Sequence, residues 1–239
     1  RVVVGKVGAA HIEYFKTFHA IKDFKPGKDY VNYSGRVFDH EEGELLVNAA
    51  LDFWLTSGEY SKQFEKKIAK YLGLRKSILT NSGSSANLLA VSALSSAKLG
   101  SRKLVESDEV ITVAAGFPTT VNPIYQNNFV PVYCDVELGT NNIKISDLEQ
   151  AISNKTKAII LAHTLGNPFD LDAIMEMAKK YNLWVIEDNC DALGSKWRGK
   201  LTGTFGELST QSFYPPHHIT LGEGGTVNTN MPILKIIVE

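Results

Sequence analysis

Residues 158–191, AIILAHTLGNPFDLDAIMEMAKKYNLWVIEDNCD, decide the fold. A short apolar run, AIILAH (158–163), precedes an amphipathic segment, LDAIMEMAKKYN (171–182), and a second apolar run, LWVIED (183–188), follows it. Short runs with no polar face suit strands covered on both sides, and the segment between them has its apolar residues at helical spacing. The alternation extends upstream. SILT (77–80), EVITV (109–113) and VPVYCDV (130–136) read as strands. SSANLLAVSAL (84–94), PTTVNPIYQN (118–127) and SDLEQAI (146–152) read as the helices after them. Pro118 opens one helix, and Ser146 with Glu149 forms a capping box for another. The expected fold is α/β, a three-layer sandwich with a mostly parallel central sheet.

Two helices come first. ELLVNAALDFW (44–54) aligns Leu45, Leu46, Ala49, Phe53 and Trp54 in one stripe. SKQFEKKIAKYLG (61–73) starts at a capping Ser61 and stops at Gly73. Residues 1–42, with KPGKDY (25–30) and YSGR (33–36), are irregular and read as an N-terminal arm. Residues 43–239 then form the large domain, and PILKIIVE (232–239) reads as a helix cut off before a cap.

Composition narrows the function. Of 239 residues 44% are apolar and 21% charged, the profile of an ordinary globular chain. Lys and Arg number 25 against 26 Asp and Glu, so no basic field points to nucleic acid. Lys22, Lys25 and Lys28 read as a solvated face. Two cysteines, Cys134 and Cys190, make no disulfide framework, which favours the cytoplasm. The run VVV (2–4) is too short to be a signal peptide or a membrane span.

In such sheets ligands bind beyond the carboxyl ends of the strands, so the residues there are the candidates. Gly83, Ser84 and Ser85 open a helix directly after a strand, where free amides and hydroxyls suit a phosphate; a plain N-cap is the alternative. Phe117 can stack on a planar ring or fill the core. His163 reads as structural. Asp188, at the mouth of a buried strand, needs a cationic or hydrogen-bonding partner, and a protonated pyridine nitrogen is one. The segment SFYPPHHITLGEGGTV (212–227) brings Ser212, His217, His218 and Glu223. Adjacent histidines on an extended segment point to opposite sides, which disfavours a shared metal.

Together these segments resemble the sugar aminotransferase branch (DegT/DnrJ/EryC1/StrS) of the fold type I pyridoxal-phosphate enzymes over residues 43–238. The resemblance implies that Gly83, Ser84, Ser85 and Ser212 hold the cofactor phosphate. Phe117 would stack on its ring and Asp188 pair with its nitrogen. Asp191 stands where most of the family carry glutamine, and is counted with the cofactor contacts. The family's lysine falls on His217. Imidazole cannot tether an aldehyde, but with an unperturbed pKa of about 6.5 it can move protons. Pyridoxamine 5'-phosphate, or pyridoxal 5'-phosphate held without a covalent bond, is the implied cofactor.

AAGFPTTVNP (114–123), AHTLGN (162–167) and the histidine loop resemble a narrower group, the CDP-4-keto-6-deoxyglucose 3-dehydrases of bacterial surface-sugar synthesis. That resemblance implies His217-driven loss of hydroxide from carbon 3 of a nucleotide-linked 4-keto-6-deoxyhexose. It also makes Cys190 a candidate [2Fe-2S] ligand, with the other ligands outside this chain and a flavin or iron–sulfur reductase as partner. An inert buried thiol is the alternative for Cys190, and Cys134 reads as core. A homodimer is implied, and so is a C-terminal small domain that this chain lacks. Two other readings stay open: a GDP-sugar 3-dehydratase without a cluster, and an inactive fragment or binding module.

Overall fold

The computed structural model describes residues 2–19, 23–32, 35, 37–54 and 56–239, so Lys22 and most of YSGR lie outside the described residues. The chain divides into two compact units, Arg1–Lys62 and Gln63–Glu239.

The first unit contains α1 (Val2–Phe18) and α2 (His40–Asp52). The stretch expected to be irregular therefore contains one helix and the start of another, while KPGKDY (25–30) lies outside both. Asp39 and Glu42 form a capping box at the start of α2, and the Gly43 position lies so close to the His11 ring that a side chain there would overlap it. The expected apolar stripe is not buried: Leu45, Leu46, Phe53 and Trp54 are each more than half exposed. Phe53 ends α2 in the left-handed region, at φ 52°.

Helix α3 (Glu59–Leu72) starts two residues before Ser61, because the Lys62 amide already bonds the Gly58 carbonyl. Ser61 thus sits inside the first turn and not at the cap. Gly73 stops the helix at φ 69°, as expected. After it come β1 (Lys76–Thr80), α4 (Gly83–Ala93), β2 (Glu109–Val113), α5 (Pro118–Gln126) and β3 (Val130–Cys134). Then follow α6 (Ile145–Ala151), β4 (Thr156–Ala162), α7 (Leu171–Tyr181) and β5 (Trp184–Asp188). A small hairpin, β6 (Lys196–Trp197) and β7 (Lys200–Leu201), leads to β8 (Leu208–Ser212), β9 (Gly225–Thr229) and α8 (Pro232–Val238).

The capping box expected at Ser146 and Glu149 does not form. The bridge between Val136 and Ile143 and the bond from the Lys144 amide to the Asp135 carbonyl fix the chain, so α6 starts at Ile145. Ser146 donates to Asp147 instead, and Glu149 binds Lys180 and Tyr181.

The seven-stranded sheet has the order β1-β9-β8-β5-β4-β2-β3. Only β9 is antiparallel to its neighbours, so β1, β8, β5, β4, β2 and β3 all run the same way. Successive strand residues supply opposite cores. Ala158, Ile160 and Ile186 pack with Ala86 and Ala90 of α4, Ile124 of α5 and Leu234 of α8. Ile159, Leu161 and Val185 pack with Leu148 of α6 and Leu171 and Ile174 of α7. Ile159 and Ile160 are both fully buried, each contributing about 1.5–3 kcal/mol. Three layers follow, with every parallel strand aimed at one edge.

Candidate active site

At that edge the segments after β1, β2, β5 and β8 enclose a cavity of about 380 Å³. Its floor is Asp188, the last residue of β5, only 4% exposed. One carboxylate oxygen accepts from Asn87 Nδ2 at 2.8 Å and Thr120 Oγ1 at 2.7 Å. The other accepts from the Cys190 amide at 3.2 Å. Asn87 is itself held, its carbonyl oxygen accepting from Thr210 Oγ1 at 2.6 Å. A buried carboxylate is tolerable because these donors replace water.

One wall is the start of α4. Ser82 is the N-cap and its Oγ accepts from the Ser85 amide at 3.1 Å. Gly83 is required by close approach: a Cβ there would lie 2.5 Å from Ser212 Cβ and 2.8 Å from its Oγ. Gly83, Ser84 and Ser212 line the cavity, whereas Ser85 is turned to Ser82 through both its amide and its hydroxyl. Phe117, the residue before α5, stands at the mouth and is 67% exposed.

Residues 213–224 join β8 to β9 as a loop closed at its base. The Phe213 amide bonds the Gly224 carbonyl and the Leu221 amide bonds the Phe213 carbonyl, each at 2.9 Å. Within it Tyr214, Pro216 and His217 face the cavity, while His218 is exposed. His217 Nδ1 lies 3.3 Å from Asp191 Oδ1. That imidazole, more than any other neighbour, holds the Asp191 carboxyl below the usual carboxylate range. Burial and then the Asp188 charge push the Cys190 thiol well above its ordinary value, so it stays protonated on the wall beside Gly83.

Glu187 faces away from the cavity, as strand alternation requires. Its carboxylate accepts from the amides of Gly203, Phe205 and Gly206 at 2.7–2.8 Å and contacts His163 Nε2 at 2.9 Å. His163 stacks on Phe169 and is structural, as its position suggests. Cys134 is in the core of the opposite face.

Sequence reading missed Asn87, Thr120, Thr210 and Tyr214. Two had a signal: Asn87 lies one helical turn beyond Gly83, and Thr120 three residues beyond Phe117. Thr210 had none, because β8 was not recognised as a strand.

The residues fit a pyridoxal-type cofactor: a cradle too tight for any side chain at Gly83, and a buried carboxylate opposite it. This sheet and cavity have the architecture of the fold type I pyridoxal-phosphate class. Comparison with known proteins narrows the class. The chain belongs to the DegT/DnrJ/EryC1/StrS aminotransferase family, whose pattern matches residues 38–239. It is 54% identical over 218 residues to the lipopolysaccharide biosynthesis protein RfbH of Salmonella typhimurium, covering 91% of this chain and 50% of that protein. It is also 54% identical over 216 residues to a dTDP-4-dehydro-2,6-dideoxy-D-glucose 3-dehydratase of Saccharopolyspora spinosa, covering 90% of this chain and 47% of that one. Among solved structures, an E. coli GDP-4-keto-6-deoxy-D-mannose-3-dehydratase with bound hydrated pyridoxal phosphate matches with a TM-score of 0.81 and 34% identity, over 88% of this chain and 54% of that one. The chain thus spans about half the length of the curated relatives it matches. Among the described residues no helix is long and apolar enough to cross a membrane.

Proposed function

We propose that the protein takes part in removing the 3-hydroxyl of a nucleotide-linked 4-keto-6-deoxyhexose, CDP-4-keto-6-deoxyglucose in our reading, with pyridoxamine phosphate held without a covalent tether. One observation carries the reading: the loop that closes the cavity opposite Asp188 presents the imidazole of His217, and the chain has no lysine between Lys200 and Lys235. When bound, the cofactor supplies a cationic ring able to accept electron density from a neighbouring carbon.

The chain's own residues then divide the work. Asp188 holds the ring nitrogen protonated, with Asn87 and Thr120 fixing its carboxylate. Gly83, Ser84 and Ser212 receive the phosphate at the start of α4. Phe117 covers the ring face. His217 takes a proton beside the ring and returns one to the departing hydroxyl. Residues 43–239 form the cofactor-binding large domain in this reading, with 1–42 as an arm. A homodimer in the cytoplasm belongs to the same reading.

A second reading is a GDP-sugar 3-dehydratase without a cluster, and Cys190, a candidate cluster ligand in the first reading, is where the two differ. A [2Fe-2S] centre is held by four protein ligands, usually cysteines. Cys190, on the cavity wall, would supply one of them with the others outside this chain, whereas Cys134 lies in the core. Visible absorption of the anaerobically purified protein separates the readings, because only a cluster, which would call for a reductase partner, gives broad bands.

The test of the main reading is His217→Asn. Loss of water from the sugar nucleotide, followed by mass spectrometry with added pyridoxamine phosphate, should fall on the order of 10²-fold or more. Cofactor affinity, read by fluorescence, should be retained. Undiminished turnover would reject the assignment.

A further inference from the structure

We infer that Asp191 is a positioning residue for His217, fixing which imidazole nitrogen carries the proton, and not a contact to the cofactor ring. The proposal deepens the reading above, and only its kinetic test rests on that reading.

A neutral imidazole has one N–H, and the partner of one nitrogen decides the state of the other. His217 Nδ1 is 3.3 Å from Asp191 Oδ1. An ionised carboxylate only accepts, so the proton of the pair belongs on Nδ1. Nε2 is left with a free lone pair, which a proton-abstracting base needs. The separation is longer than a strong charge-assisted bond, as is common before substrate binds, and it shortens as the ring becomes cationic. The carboxylate then stabilises the imidazolium formed by proton abstraction.

Asp191 lines the cavity and is paired with His217 there, beside the turn that follows β4. The Leu165 backbone faces its carboxylate and favours the charged form, after the larger effect of His217. Leu165 is in the left-handed region at φ 53°, inside the turn after β4. The next residue, Gly166 at φ 83°, packs against the Asp191 carbonyl, where a Cβ would come within 3.0 Å. Ser195 Oγ donates to the Gly166 carbonyl at 2.7 Å and closes the arrangement. His218 faces the same carboxylate as a more distant charge. His217 is the side chain nearest to that carboxylate. A glutamine at this position could donate to a ring oxygen, whereas an aspartate offers only acceptors.

The experiment is long-range proton–nitrogen NMR of the cofactor-free ¹⁵N-labelled protein at a pH where His217 is neutral, with His217→Asn assigning the signal. His217 should show a pyrrole-like Nδ1 and a pyridine-like Nε2. In Asp191→Ala the pattern should invert, because free imidazole prefers its proton on Nε2. Asp191→Asn, isosteric and a control for folding, should lose kcat on the order of 10²-fold with unchanged affinity for pyridoxamine phosphate. A pyridine-like Nδ1 in the wild type, or a pattern that persists in Asp191→Ala, overturns the proposal. So does weakened cofactor binding at unchanged kcat, which would make Asp191 a ring contact. If the wild type shows no dehydration while the nitrogen pattern inverts as stated, the dehydratase reading fails and the pairing stands.

Discussion

Gly83→Ala tests the tight cradle directly. The added methyl group would meet Ser212 Cβ at 2.5 Å and Oγ at 2.8 Å, with Cys190 Sγ at 3.2 Å. Carbon atoms in contact prefer about 3.5–4.0 Å, so the start of α4 and the end of β8 must separate by roughly 1 Å. Overpacking of this kind costs about 1–3 kcal/mol, which for a chain of this size lowers the melting temperature by about 2–12 °C. Ser212 Cβ is fixed by the backbone of β8, so it cannot rotate away as the far end of a flexible side chain would. Calorimetry of Gly83→Ala, Ser212→Gly and the double variant decides the matter. Ser212→Gly removes the two nearest atoms, so most of the loss should be recovered in the double variant. Strictly additive effects, or an unchanged Gly83→Ala melting temperature, would show that the cradle is not tight and would remove the main support for a cofactor phosphate there.

Two further predictions follow from buried groups. Glu187→Ala removes the common acceptor of three backbone amides and His163, and should destabilise the fold by about 3–5 kcal/mol in urea titration; a loss under 1 kcal/mol would mean water replaces the carboxylate. Cys190, its thiol held protonated by burial and by Asp188, should react with iodoacetamide more slowly than a free thiol at pH 8 and accelerate only above pH 9, as mass spectrometry of the modified peptide would show. Since the folded thiol keeps its proton beyond the unfolded value, its contribution to stability declines as pH rises past that value. Rapid labelling at neutral pH would contradict the burial.

The sequence was most legible where composition and period agree. The strands from β2 to β5 are apolar on both faces and separated by strong helical periods, so each was recognised with its helix. Strands β8 and β9 were not, because LSTQS and GTVNT carry the polar residues Ser209, Thr210, Gln211, Thr226 and Asn228, all buried. Three of them are buried as hydrogen-bonding partners, with Asn228 accepting from Ser77 Oγ, Thr210 donating to Asn87 and Ser209 donating to the Gly203 carbonyl, and no window of hydropathy reports that. The same limit explains the site. Gly83, Asp188 and His217 follow from position and chemistry. The turn of Ser85 toward Ser82 is the local N-cap alternative, whereas the pairing of Asp191 with His217 depends on contact between segments distant in the chain. The first unit failed for another reason: glycine and β-branched residues in α1 weaken the helical signal that its pairing with α2 restores.

The loop that carries His217 is anchored at both ends by backbone bonds between Phe213, Leu221 and Gly224, and its bases continue into neighbouring strands. The frame around Asp188 does not depend on which side chain that loop displays. Such an architecture separates the gripping of a coenzyme from the choice of reaction, so one replacement in the loop can retire an amine anchor and install a proton carrier while the scaffold stays as it was. Divergence among relatives that share this scaffold then needs little remodelling of the core.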